Sequence, residues 1–202
     1  MSATPVELTN PLFRHLARAL AERPGALAED DGDPRRAAVA VVLRDAGEPG
    51  IELLLILRAE REGDPWSGQV ALPGGRYDAT DATLQDTAVR ETREETAIDI
   101  ATDGVVLGTL DELRPRTPVL PPIIVTPFVC VVRADLAIAI SDELADAFWV
   151  PLASLLDPAL QGESPVTVRG ATWRVPSWQL GRHIVWGMTE RILRNFVQVL
   201  AP

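Results

Sequence analysis

The chain has 202 residues, 47% hydrophobic and 24% charged, the composition of an ordinary globular protein long enough to bury one sizeable core. Its formal net charge is -10 and all 19 basic residues are arginine, which argues against a nucleic-acid-binding or membrane-surface protein, since both need a broad basic face. A small anionic substrate is still allowed, because a few arginines or a divalent metal reverse the sign inside one pocket.

The N-terminus "MSATPVELTN" lacks a basic-then-apolar targeting pattern, and the longest apolar run is broken by Pro121, Pro122 and Pro127. No membrane span and a cytoplasmic location are the expectation. The single cysteine, Cys130, lies in "IIVTPFVCVV" and reads as a small buried hydrophobe.

In chain order, "TNPLFRHLARALAERPG" predicts a helix, with Asn10 as cap, Pro11 at the first helical position and Leu12, Leu16 and Leu20 repeating along one face. An acidic linker follows, so residues 1–36 read as an N-terminal helix plus linker and 37–202 as a single globular domain. "AAVAVVLR" and "IELLLILR", separated by "DAGEPG", predict a buried strand pair, and "VAL" before Pro73 a short third strand. Two more strands are expected in "GVVLGTLDEL" and "PIIVTPFVCVVRA", joined by the proline-rich "RPRTPVLPP".

"AFWVPLASLL" reads as a strand turning into a short helix, and "PVTVRGATWRVP" as a hairpin turning at Gly170. "IVWGMTERILRNFVQVL" predicts a closing helix of about 16 residues with Ile184, Met188, Ile192 and Phe196 as its apolar stripe. His15 and His183 show no metal-ligand spacing and read as structural. The sum is an α/β protein with a mixed sheet and helices on both sides.

The chemistry concentrates in "LPGGRYDATDATLQDTAVRETREETAI". With Asp81 taken as helix cap, Leu84, Ala88, Glu91 and Glu95 fall on one stripe and Glu94 stands beside Glu91. An apolar stripe thus turns into carboxylates at the helix C-terminus, where the macrodipole disfavours them. A divalent cation resolves the conflict, since Mg²⁺ is commonly held by a few acids and substrate phosphates. Arg90 is placed to hold a neighbouring carboxylate through a bidentate pair.

The same stretch resembles the Nudix box: Gly, five residues, Glu, seven residues, Arg-Glu, an apolar residue, any residue, Glu-Glu, any residue, Gly, apolar. Gly75 matches the box glycine, Arg90 the positioning arginine, and Glu91, Glu94 and Glu95 the metal-binding glutamates. Two positions depart: the first acid is Asp81, followed by eight residues before Arg90, and Ala97 replaces the last glycine. The first puts the role of Asp81 in question. The second is mild unless the position needs positive φ.

Upstream, "LLILRAEREGDPWSGQVALPGG" is similar to the signature of coenzyme A pyrophosphatases, a branch that also carries the longer box with Asp. Here that stretch is one residue longer than usual between Arg58 and Gly68, with Ala59 for Ser and Leu72 for Phe. The resemblance covers roughly residues 38–198. It implies an α/β/α sandwich and Mg²⁺-dependent hydrolysis, with Mn²⁺ able to substitute, of a nucleoside diphosphate linked to another moiety. For coenzyme A the products are 3′,5′-ADP and 4′-phosphopantetheine.

Glu91, Glu94 and Arg90 are then catalytic candidates, with Glu143 in "SDEL" as a candidate general base. Arg58, Arg76, Gly74, Gly75 and Trp66 are candidate substrate contacts. A homodimer is an expectation from the family alone. Two alternatives stand: a Nudix diphosphatase for ADP-ribose (Pro115 lies where such enzymes often place a proline), NADH or an oxidised nucleotide, and a non-catalytic nucleotide-binding module.

Overall fold

The computed structural model describes residues 6–48, 50–62, 66–116, 121–168 and 170–200. Its centre is a seven-stranded mixed sheet built from β1 (Arg35–Asp45), β2 (Ile51–Arg58), β3 (Val70–Ala71), β4 (Gly74–Arg76), β5 (Gly104–Thr109), β6 (Ile123–Val132) and β7 (Leu144–Pro151). The strands run β3-β2-β1-β6-β5, with β4 added to β1 and β7 to β2. Only β1 and β6 pair in parallel; the other pairs are antiparallel. The central strands read as continuous apolar runs because helices cover both sheet faces.

Two short helices, α3 (Ile100–Asp103) before β5 and α4 (Ala153–Leu156) after β7, border the sheet, and alternation along β1 divides the core. Val41 and Leu43 face α1 (Pro11–Glu22) and α5 (Gly187–Leu200), packing with Phe13, Leu16, Leu20, Leu193 and Phe196. Ala38, Ala40 and Val42 face the other way, with Ala88 of α2 (Leu84–Thr96), Ile98, Phe128 and Cys130. The result is an α/β/α sandwich, as expected, and Cys130 is fully buried. Small alanines under α2 let that helix sit close to the sheet, which matters for the site it carries.

A second sheet of three strands, β8 (Gln161–Val168), β9 (Ala171–Leu180) and β10 (His183–Trp186), joins the main body through Trp178, whose Nε1 donates to the Leu155 carbonyl at 3.1 Å. Its hairpin turns at Gly170, φ 79°, as read from sequence. The closing helix is shorter than expected. Residues His183–Trp186 pair with Ser177–Leu180 of β9, so Ile184 belongs to a strand, and the helix starts at Gly187, φ 70°. Its buried face is Thr189, Glu190, Ile192, Leu193 and Phe196. His183 stacks on Phe148 with ring centroids 4.4 Å apart, and His15 Nε2 lies 3.2 Å from the Val199 carbonyl, linking α1 to α5. Among the described residues no helix is long and apolar enough to cross a membrane.

Candidate active site

β4 and α2 build the site between them. Gly74, φ 150°, pairs with Val39 so closely that a Cβ would lie 2.3 Å from the Ala38 carbonyl oxygen. Its N–H then donates to Glu95 Oε2 at 2.9 Å. At Gly75 a Cβ would meet the Glu91 carboxyl carbon at 2.4 Å. The two glycines therefore make room for carboxylates, one by hydrogen bond and one by absence of a side chain.

α2 is capped two residues later than the sequence suggested. Its cap is Thr83, whose hydroxyl accepts from the Asp86 N–H at 3.2 Å, because Asp81 has another partner. Asp81 Oδ1 and Oδ2 accept from Arg90 Nε and Nη2 at 2.9 and 3.0 Å, and Oδ2 also accepts from the Thr87 hydroxyl at 2.8 Å. The Arg90 guanidinium beside it holds the Asp81 carboxyl far below the usual carboxylate range. The bidentate partner of Arg90 is thus Asp81 rather than Glu91, and the extra box residue is absorbed in the turn before the helix.

Held in this way, Arg90 turns its Nη1 between two glutamates, at 2.8 Å from Glu91 Oε1 and 3.0 Å from Glu94 Oε2. Its Nη2 also donates to the Arg76 carbonyl at 3.3 Å, while the Arg76 residue itself is exposed. The buried flank of α2 is lined by threonines: Thr92 and Thr96 donate to carbonyls four residues back at 2.7 and 2.6 Å. These polar side chains satisfy themselves locally and make no demand on the glutamates.

Glu95 is only 3% exposed, and burial pushes its carboxyl up to about 7, opposed by the Gly74 N–H and reinforced by the charge of Glu91. Arg58, the last residue of β2, reaches only 3.9 Å from Glu95 Oε1. Burial likewise raises Glu91, against the pull of Arg90 and with the charges of Glu94 and Glu143 adding to the rise. Arg90 is shared among Asp81, Glu91 and Glu94, and Arg58 stands 3.9 Å from Glu95, so carboxylates outnumber cations at this point, which suits a hard divalent cation.

Among the described residues no three carboxylate, histidine or cysteine side chains already converge in ligating geometry; Arg90 Nη1 fills the space between Glu91 and Glu94. The oxygen donors of Glu91, Glu94 and Glu95 are nevertheless of the type a hard divalent cation takes.

Glu143 comes to the same place from the other flank. The segment before β7 docks on the end of α2, Ala139 N donating to the Thr96 carbonyl and Ser141 N to the Glu95 carbonyl at 3.0 and 3.1 Å. Ala59 N donates to the Glu143 carbonyl at 2.9 Å. Arg61, not singled out from the sequence, places Nη1 3.8 Å from Glu143 Oε1 and donates Nη2 to the Asp142 carbonyl at 2.9 Å. Trp66 is half-buried in the turn that ends at Gln69; the neighbouring 63–65 lie outside the described residues.

With a divalent cation on its carboxylates, this constellation could neutralise a pyrophosphate and orient a water against it. The NUDIX domain model matches residues 33–169. The chain belongs to the Nudix family. It is 35% identical over 185 residues, 91% of this chain and 92% of the relative, to a Cronobacter sakazakii protein named uncharacterized Nudix hydrolase NudL. An Escherichia coli protein of the same name is 35% identical over 80% of each chain.

Two solved Nudix structures share the fold. One is a MutT/nudix family protein from Enterococcus faecalis, with TM-score 0.57, 19% identity, and coverage of 86% of this chain and 64% of the other. The second is a Nudix hydrolase from Alicyclobacillus acidocaldarius, with TM-score 0.51, 23% identity, and coverage of 61% and 82%. The chain is accordingly a Nudix hydrolase, and enzymes of this family generally use divalent metal ions.

Proposed function

We propose that this Nudix hydrolase cleaves the pyrophosphate of coenzyme A or its derivatives to 3′,5′-ADP and 4′-phosphopantetheine, using Mg²⁺, with Mn²⁺ as a substitute. The observation that carries the reading is the Asp81–Arg90 pair. The box that is one residue longer and begins with Asp is the form the coenzyme A branch resembles, and here that Asp has a defined task, fixing the arginine that holds Glu91 and Glu94. The upstream signature, from Leu54 through Gly75, supports the same branch.

Glu91, Glu94 and Glu95 would hold the metal, which when bound lowers the charge of the pyrophosphate and the pKa of a water. Arg58 stands beside Glu95 with a quarter of its side chain exposed, in reach of a phosphate oxygen that approaches the same place. Glu143, anchored by Ala59 and Arg61, would take a proton from the attacking water. Gly74 and Gly75 keep the backbone low beneath the reacting groups. Trp66 is available to a base, and Arg76 is exposed beside the box. A cytoplasmic location and a homodimer accord with this reading.

The test is Mg²⁺-dependent hydrolysis of coenzyme A, ADP-ribose, NADH and 8-oxo-dGTP side by side, with Glu95→Gln as control. The highest kcat/KM for coenzyme A, lost in the variant, is the expected result. A higher kcat/KM for ADP-ribose or NADH would overturn the substrate and leave the family untouched.

A further inference from the structure

A second group of arginines stands at the same end of the sheet. Arg36, at the start of β1, places Nη1 3.2 Å from Glu112 Oε1 and Nη2 2.6 Å from Asp30 Oδ2. Arg114 donates to the Glu29 and Asp31 carbonyls and pairs with the Asp31 carboxylate, while Arg116 pairs with Glu29. Three guanidinium groups are thus paired with the acidic run Glu29–Asp30–Asp31 of the strap that leads from α1 into β1.

Register places this group beside the catalytic glutamates. Gly75, Ala38 and Thr126 lie side by side on β4, β1 and β6, and directly opposed residues share a face. Gly75 meets Glu91 on that face, and the Thr126 hydroxyl donates to Glu112 Oε1 at 2.8 Å. Two strand spacings separate Gly75 from Thr126, about 10 Å, a distance comparable with the span of a ribose carrying two phosphates.

The strap is held unequally along its length. Near its start it is fixed: a Cβ at Gly25 would lie 2.0 Å from the Leu110 carbonyl oxygen, and Ala26 exchanges bonds with Asp111 and Glu112. From Glu29 to Asp31 the contacts to the body, among the described residues, all come from arginine side chains. The three acidic side chains are 81%, 56% and 64% exposed, so removing them exposes no core. Gly32 at φ 70° and Asp33 at φ 50° follow at once, a turn where the run can swing away.

We propose that Arg36, Arg114 and Arg116 form a subsite for a phosphomonoester on the ribose of the substrate's nucleoside, and that the strap carboxylates occupy it until that phosphate displaces them. The proposal rests on the nucleotide reading of the site given above. Carboxylate and phosphate oxygens make the same charge-assisted contacts to guanidinium. With the strap withdrawn, Arg36 keeps one internal acid, Glu112, and among the described residues Arg114 and Arg116 pair with the strap alone, so the three carry the excess positive charge a dianion needs.

The experiment is calorimetric binding of 3′,5′-ADP and of 5′-AMP, which differ only by the 3′-phosphate, to the full-length enzyme and two variants. Arg114→Gln/Arg116→Gln is expected to weaken 3′,5′-ADP by about tenfold or more, with 5′-AMP changed less than about twofold. Glu29→Gln/Asp30→Asn/Asp31→Asn, which touches no catalytic group, is expected to tighten 3′,5′-ADP by about fivefold. Equal affinity of the wild type for both nucleotides, or parallel changes for both in the variants, overturns the subsite. Selective binding in an enzyme that does not cleave coenzyme A would instead sink the substrate proposal and leave the subsite standing.

Discussion

α2 and α5 each bury a glutamate to 3% exposure, Glu95 and Glu190, and treat it differently. Glu190 Oε1 accepts from Arg194 Nε and Nη2 at 2.8 and 2.5 Å, an i,i+4 pair within the helix. Glu95 has the Gly74 N–H and, at 3.9 Å, Arg58. A buried carboxylate is costly unless paired, so a matched one belongs to the scaffold and an undermatched one is kept for something that arrives later. Glu52, 8% exposed with Arg44 Nη2 at 2.6 Å, falls with Glu190.

Breaking the pair of cases at Glu95 gives the largest expected effect. Glu95→Gln keeps the bond to the Gly74 N–H and removes the charge, so turnover is expected to drop by about 10³, the several kcal/mol a bound divalent ion lends to phosphoryl transfer, while Tm holds or rises. Steady-state rates and a melting curve on the same sample read both.

Gly75→Ala moves the neighbouring carboxylate without discharging it, because the new Cβ would sit 2.4 Å from the Glu91 carboxyl carbon. A displaced catalytic group costs about 10²-fold in rate. Since the clashing atoms end a flexible side chain, the fold is expected to melt within a degree or two of wild type.

Arg194→Met is the scaffold counterpart. It strands Glu190 and lifts a cation off the Trp178 ring, 5.0 Å away. Stability is expected to fall by about 2 kcal/mol, or about 4–8 °C in Tm, with kcat/KM unchanged at a temperature where the variant is folded. A rate loss matching that of Glu95→Gln would erase the distinction between the two glutamates.

Ala97→Gly should have the smallest effect. Ala97 ends α2 at φ 61°, so the position does need positive φ, the case in which replacing the box glycine carries a cost. Relief of that backbone cost is expected to stabilise the chain by about 1 kcal/mol, read as a higher denaturation midpoint.

The sheet strands and box helix were legible because their signals are local: apolar runs, the turn at Gly170, and glutamates at helical spacing. The start of α2 was not, since Asp81 and Thr83 are both good caps and only the fold brings Arg90 back onto Asp81. Ile184 follows a helical period yet is claimed by β9, a long-range pairing that no window of sequence displays. In the site, Gly74, Gly75, Arg90 and the three glutamates could be read as one string. Arg61 and the strap arginines could not, because their partners lie 81 or more residues away, or on a segment that reads only as an acidic linker.

The central claim is that Glu91, Glu94 and Glu95 are reserved for a divalent cation. Calorimetric titration of Mg²⁺ into the wild type and into Glu95→Gln at pH 8, above the raised carboxyl range of Glu95, tests it most directly. Saturable binding in the wild type that disappears in the variant is the predicted result. Superimposable titrations would mean that the undermatched carboxylate on α2 serves no metal, and the account would fail with it.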